Sequence, residues 1–154
     1  MKELEIKVDF EESIAPWLGK TSKIVDYYLQ EEMIKNGLDL SKEQMIVLKK
    51  LHEQDGRNQN ELAFLTLRDK SSLTRLLAKM ENKKYIHREQ SQEDRRVNHV
   101  YITKLGKEIY DQTRPIIRKM IATMEQNISN EEIDQMIITL QKIQYNFTSK
   151  KAYL

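Results

Sequence analysis

The chain has 154 residues, 39% hydrophobic and 32% charged, with a net charge of +2 and no cysteine. That is one domain's length with an ordinary core-forming composition, and it excludes disulfides, thiolate zinc sites and thiol redox chemistry. No apolar run approaches the roughly 20 residues of a membrane span, and residues 1–13 alternate charge with apolar groups instead of forming a signal sequence, so a cytoplasmic location is expected.

A first helix is expected from about Ser13 to Lys35, with Pro16 in its opening turn, where the missing N–H costs little. Its apolar Trp17, Ile24, Tyr28 and Leu29 lean to one side, and Asn36-Gly37 closes it as a C-cap. Ser41 and Gln44 form a capping box for a second helix with an inward face of Met45, Leu48 and Leu51, ended by Asp55-Gly56. Asn58 and Glu61 repeat the cap for a short third helix containing Leu62, Ala63 and Leu65. Asp69 caps a fourth helix to about Asn82, in which Leu73, Leu76, Leu77 and Met80 form an amphipathic stripe at i, i+3, i+4 and i+7.

The period then changes to that of a hairpin, Tyr85–Gln90 and Val97–Ile102, joined by a polar stretch. With the turn centred near Glu93, Ile86 faces Val100, and His87 and His99 become cross-strand neighbours beside Glu89. Such a trio could in principle ligate a metal, but two wing histidines facing solvent or phosphate is the commoner arrangement, and no metal or other cofactor is assigned. Thr103 starts a long helix in which Gly106 permits close packing and Pro115 predicts a bend. Ser129 and Glu132 cap a last helix with the stripe Ile133, Met136, Ile137, Leu140, Ile143 and Phe147.

The fold class is therefore mainly α with a small β-hairpin wing: a winged helix-turn-helix plus a helical dimerisation region. Residues 1–154 form a single domain, with a DNA-binding lobe over 38–103 and dimerisation helices over 1–37 and 104–154. The outer helices are too apolar for a monomer with so little else to cover them, which predicts an isologous homodimer.

Charge is unevenly distributed. Between Arg68 and Arg96 stand nine Lys or Arg against five Asp or Glu, an excess larger than the net charge of the chain. Within that basic segment, the helix from Asp69 carries Lys70, Ser71, Ser72, Thr74, Arg75 and Lys79 opposite its leucine stripe. One packed face and one face of short polar and basic groups is what a major-groove helix requires. About a dozen residues later the hairpin tip presents Asp94, Arg95 and Arg96, placed to reach an adjacent minor groove. Asp94 can accept from the Arg96 guanidinium and hold it extended.

In order and spacing these segments resemble the MarR family of bacterial regulators over nearly the whole chain. The matching residues are Gly37-Leu38 with Leu40, Ser41 and Gln44; Glu61-Leu62-Ala63; and the run Asp69 to Leu77. They continue through Met80-Glu81, Tyr85 to Arg88, Glu93 to Arg96, and Val100 to Gly106. The resemblance implies a two-fold dimer on a pseudo-palindromic double-stranded DNA operator. The helix from Asp69 would lie in the major groove and Arg96 in the minor groove, steered by Asp94. A repressor is the expected role. Many relatives release DNA when a small aromatic acid binds, and Trp17, Lys20 and Tyr28 are compatible with such a pocket. Where the family usually carries glycine before the first wing strand, this chain has Lys84, so a positive φ with some strain is expected, with Lys83 and Lys84 available as phosphate contacts. Lacking cysteine, the chain does not sense peroxide through a thiol.

No glycine-rich phosphate loop, nucleophile elbow or spaced carboxylate pair points to an enzyme, and His52-Glu53 lacks the second histidine of a zincin. The competing class is a helical dimeric adaptor protein without DNA binding.

Overall fold

A computed structural model describes residues 10–148. Nine elements follow in order: α1 (Ile14–Lys35), α2 (Lys42–Glu53), β1 (Arg57–Asn58), α3 (Gln59–Leu65), α4 (Lys70–Asn82), β2 (Ile86–Gln90), β3 (Asn98–Ile102), α5 (Lys104–Met124) and α6 (Asn130–Thr148). The residues of 1–37 and 104–154 beyond these bounds, 1–9 and 149–154, lie outside the described residues.

Local side-chain chemistry sets the boundaries. Ser41 Oγ accepts from the Gln44 N–H at 3.2 Å while Gln44 Oε1 accepts from the Ser41 N–H, a closed capping box. Ser129 and Glu132 make the same reciprocal pair before α6. Asn58, Asp69 and Thr103 each accept from the backbone N–H three residues on, opening α3, α4 and α5. At α3 the box is only half made, because the Glu61 carboxylate turns to Arg57 instead.

The core fills the space between α2, α4, the sheet and the inner parts of α1 and α5. Met33, Val47, Leu48, Leu51, Leu62, Leu73, Leu77, Met80 and Val100 are all fully buried. Truncating one such residue to alanine costs about 2–5 kcal/mol. Gly106 lets α5 begin against the sheet. A Cβ there would stand 2.1 Å from the Tyr85 carbonyl oxygen and 2.9 Å from Ile102 Cγ1.

The sheet has three antiparallel strands in the order β1-β3-β2. The two-residue β1 is too short to carry a strand period in the sequence. The hairpin register differs from expectation. Ile86 pairs with Ile102, Arg88 with Val100 and Glu89 with His99. His87 lies opposite Tyr101 and stacks on it, not on His99, so the expected histidine pair does not form. The cause is the turn. Ser91 Oγ accepts from both the Glu93 and Asp94 N–H groups, and the Val97 N–H donates to Asp94 O, which moves the apex one residue along. A shift of two in the pairing leaves every side chain on the same face, so Ile86, Val100 and Ile102 remain buried.

Helices α1 and α6 behave differently from the lobe. In α1 only Leu29, Glu32 and Met33 are buried, and in α6 none is. Trp17 is 65% exposed and Phe147 87%. Buried Glu32 ties α1 to α5 through Lys119 Nζ at 3.0 Å, with Lys35 at 3.5 Å. The hydrogen bond from Lys119 holds the Glu32 carboxyl below the usual carboxylate range against the opposing effect of burial. Helix α5 runs unbroken through Pro115. None of the helices among the described residues is long and apolar enough to cross a membrane.

Candidate nucleic-acid interface

Helix α4 has one face fixed by burial of Leu73, Leu76, Leu77 and Met80. The residues left on the other side are Lys70, Ser71, Thr74, Arg75 and Lys79, all exposed. Ser72 is half-buried on the flank of the helix, its N–H taken by the Asp69 carboxylate at 2.8 Å. The exposed groups are already ordered among themselves. Arg75 Nη1 donates to Ser71 Oγ at 3.0 Å, and Thr74 Oγ1 donates to Lys70 O at 2.7 Å.

A contact invisible in the sequence comes from α3. Gln59 Nε2 donates to Thr74 Oγ1 at 2.8 Å, across 15 residues. No periodicity announces it. The only local signal is that Gln59 directly follows the Asn58 cap, in the first turn of α3.

The wing is tied to α4 by Glu81. One carboxylate oxygen accepts from the Arg88 N–H at 3.0 Å and the other from the Arg88 guanidinium at 3.1 Å. These bonds, the guanidinium first, hold the Glu81 carboxyl below its usual range. At the tip, Asp94 grips Arg96 in a fork: Oδ1 accepts from Nε at 3.0 Å and Oδ2 from Nη2 at 3.1 Å. Asp94 Oδ1 also accepts from the Arg96 N–H at 3.0 Å, so the pair is anchored to the backbone of the turn. The Asp94 carboxyl is accordingly held below its usual range by the Arg96 side chain. The Arg96 side chain remains 90% exposed. Gln90 Nε2 donates to Arg95 O at 2.6 Å and closes the base of the tip.

Between helix and wing, Lys84 has φ +62°, the left-handed conformation expected for a residue standing where glycine is usual. Its carbonyl accepts from Thr103 Oγ1 at 2.6 Å. Lys83 differs from expectation. Its Nζ donates to Asp39 O, Asp39 Oδ1 and Gln44 Oε1 at 2.9–3.1 Å, so it fastens α4 to the start of α2 and is spent as a phosphate contact.

Trp17, Lys20 and Tyr28 are not brought together. Trp17 lines a groove of about 860 Å³ between α1 and α6 with Ile14, Leu18, Met124 and Met136, and neither Lys20 nor Tyr28 is part of its lining. Tyr28 stands 11 residues further along α1, roughly 16 Å away at the helical rise, beside Lys119. A different cleft, of about 610 Å³, lies between α2 and α5 and is lined by Ile46, Lys49, Tyr110, Thr113, Arg114 and Arg118 among others.

Comparison with known proteins agrees with this geometry. Residues 40–97 match the MarR family. The chain is 29% identical over 140 residues to the HTH-type transcriptional regulator SarZ of Staphylococcus epidermidis, covering 87% of this chain and 90% of that protein. A MarR-family transcriptional regulator from Silicibacter pomeroyi is 28% identical with a TM-score of 0.68, over 86% of this chain and 88% of that one. S. aureus MepR, whose crystal structure is of a complex with DNA, is 25% identical with a TM-score of 0.80, over 87% and 98%. These relatives are regulators, not enzymes. Over residues 40–97 this chain is similar to the MarR family of transcriptional regulators, and its fold is that of MarR-family structures.

Proposed function

We propose that the protein is a homodimeric, sequence-specific repressor that binds a pseudo-palindromic DNA operator. The observation that carries this reading is the combination of α4, with its outward Lys70, Ser71, Thr74, Arg75 and Lys79, and a wing tip whose exposed Arg96 is gripped by Asp94. Helix α4 enters the major groove, Ser72 lies at the edge of the contact, and Arg95 and Arg96 approach the flanking minor groove. The DNA-binding lobe spans residues 38–103.

The segments on either side form the dimer. Ile14, Trp17, Ile24, Met136, Ile137 and Phe147 expose apolar surface that a monomer gains nothing by presenting. A second copy covers it with the same surface, as two-fold symmetry requires. For a small-molecule effector, the α2–α5 cleft fits better than the Trp17 groove. It sets three cations, Lys49, Arg114 and Arg118, around Tyr110 and apolar walls, a lining suited to an aromatic carboxylate.

The experiment is a titration of the purified protein against duplex DNA from upstream of its own gene at several salt concentrations. A DNA reader loses affinity steeply as salt rises. An adaptor without DNA binding gives no shifted complex at any salt, and that result would overturn the proposal.

A further inference from the structure

We infer that Gln59 is a positioning residue that fixes what Thr74 can offer to DNA, making Thr74 selective for an A·T pair. The inference rests on the groove-reading role proposed above for α4. A threonine hydroxyl has one proton and two lone pairs. In Thr74 the proton goes to Lys70 O at 2.7 Å, and one lone pair accepts from Gln59 Nε2 at 2.8 Å. What remains for a base is one lone pair and the methyl group. In a helix, threonine divides between two χ1 rotamers when its oxygen has only the preceding turn to bond. The amide of Gln59 favours the rotamer that keeps Oγ1 between Lys70 and α3, which leaves the methyl on the other branch.

In the major groove an A·T pair offers the adenine N6 amino donor and the thymine C5 methyl, whereas a G·C pair offers the guanine acceptors N7 and O6 and the cytosine N4 amino donor but no methyl. A Thr74 whose proton is spent has nothing to give guanine. An A·T pair satisfies both the lone pair and the methyl.

Gln59 is a poor choice for stability alone. Its Oε1 is buried with no hydrogen-bond partner among the described residues, a state that native structures rarely tolerate without a reason. Leucine or methionine would fill the same volume without an orphaned oxygen. A polar residue that serves its neighbour's orientation explains why an amide stands there.

The test selects duplexes from a library with a randomised core, using the full-length wild-type protein, Gln59→Leu, Gln59→Met, Thr74→Ser and the Gln59→Leu/Thr74→Ser double variant. The wild type should enrich A·T over G·C on the order of tenfold at one position in each half-site. Both Gln59 variants and Thr74→Ser should reduce that ratio to about twofold at the same position and no other, and the double variant should add nothing further, since the two residues act as one unit. The Gln59 variants should melt no lower than the wild type. The inference falls if both keep the wild-type ratio, change a different position, flatten all positions equally, or unfold. If the wild type itself selects no sequence, the DNA-reading proposal fails and takes this one with it; if the wild type selects a half-site and only the Gln59 effect is missing, the DNA-reading proposal stands alone.

Discussion

Replacing Gly106 with alanine tests the joint at which the sheet passes into the long helix α5. The added Cβ would sit 2.1 Å from the Tyr85 carbonyl oxygen. An ordinary C···O contact is about 3.3 Å, so the start of α5 must retreat by roughly 1 Å. That carbonyl is also the acceptor for the Thr103 N–H at 3.0 Å, and the retreat stretches this bond, while the Thr103 hydroxyl proton goes to the nearer Lys84 O at 2.6 Å. Overpacking of this kind costs about 1–3 kcal/mol, and the weakened hydrogen bond adds about 0.5–1.5 kcal/mol. Alanine returns at most ~1 kcal/mol as a better helix former. The net loss is about 1–3 kcal/mol, equivalent to a fall in Tm of about 2–12 °C for a chain of this size. Urea unfolding of wild type and Gly106→Ala at the same protomer concentration measures it, concentration being held because the proposed dimer would contribute to stability. A loss under about 1 kcal/mol with an unchanged m-value would refute the claim that backbone and helix meet here without room for a methyl group.

Four further outcomes are expected. Arg96→Ala should weaken operator binding by about 1–3 kcal/mol and relax preference for A·T flanks; equal loss on A·T-flanked and G·C-flanked duplexes would reject its minor-groove role. Arg75→Ala should reduce specific binding more than non-specific binding, whereas a uniform loss across sequences would make Arg75 a phosphate contact. Lys84→Gly removes the strain of a left-handed non-glycine, about 1–2 kcal/mol, against about 0.4–1 kcal/mol of added unfolded-state entropy. Its melting temperature should therefore match or slightly exceed the wild type's, and a large fall would contradict the φ of +62°. Finally, Arg88 depresses the Glu81 pKa in the folded state, so the interaction stabilises at neutral pH and is lost as pH falls through that depressed value. The stability difference between wild type and Glu81→Gln should shrink with acidification below the usual carboxylate range, and a pH-independent difference would show that the ion pair does not link helix and wing.

What the sequence revealed and what it hid follow from the range of the interactions involved. Five of the six helix starts among the described residues rest on a side chain accepting from a backbone N–H three residues away, so Ser41, Asn58, Asp69, Thr103 and Ser129 could be read directly, while Ser13 before α1 makes no such bond. The buried stripe of α4 and the grip of Asp94 on Arg96 are equally local. The left-handed Lys84 was legible because a short connection there leaves few alternatives. The hairpin register was not, since pairings two residues apart bury the same Ile86, Val100 and Ile102. Lys83 looked like a free cation on a basic segment, yet its partners Asp39 and Gln44 lie 44 and 39 residues away. The same distance problem hid Gln59 from Thr74 and made Trp17, Lys20 and Tyr28 look like neighbours, because shared membership of one helix says nothing about a shared cavity.

The central claim is that two copies of α4 and of the Arg96 tip lie along one face of a duplex. Footprinting of the selected operator measures this directly, with guanine-N7 methylation interference for the major groove and hydroxyl-radical cleavage for the minor groove. Two major-groove contacts about 34 Å apart, one helical turn, should appear with flanking minor-groove protection that Arg96→Ala removes. A footprint with no such spacing, or one that neither Arg75→Ala nor Arg96→Ala alters, would contradict it.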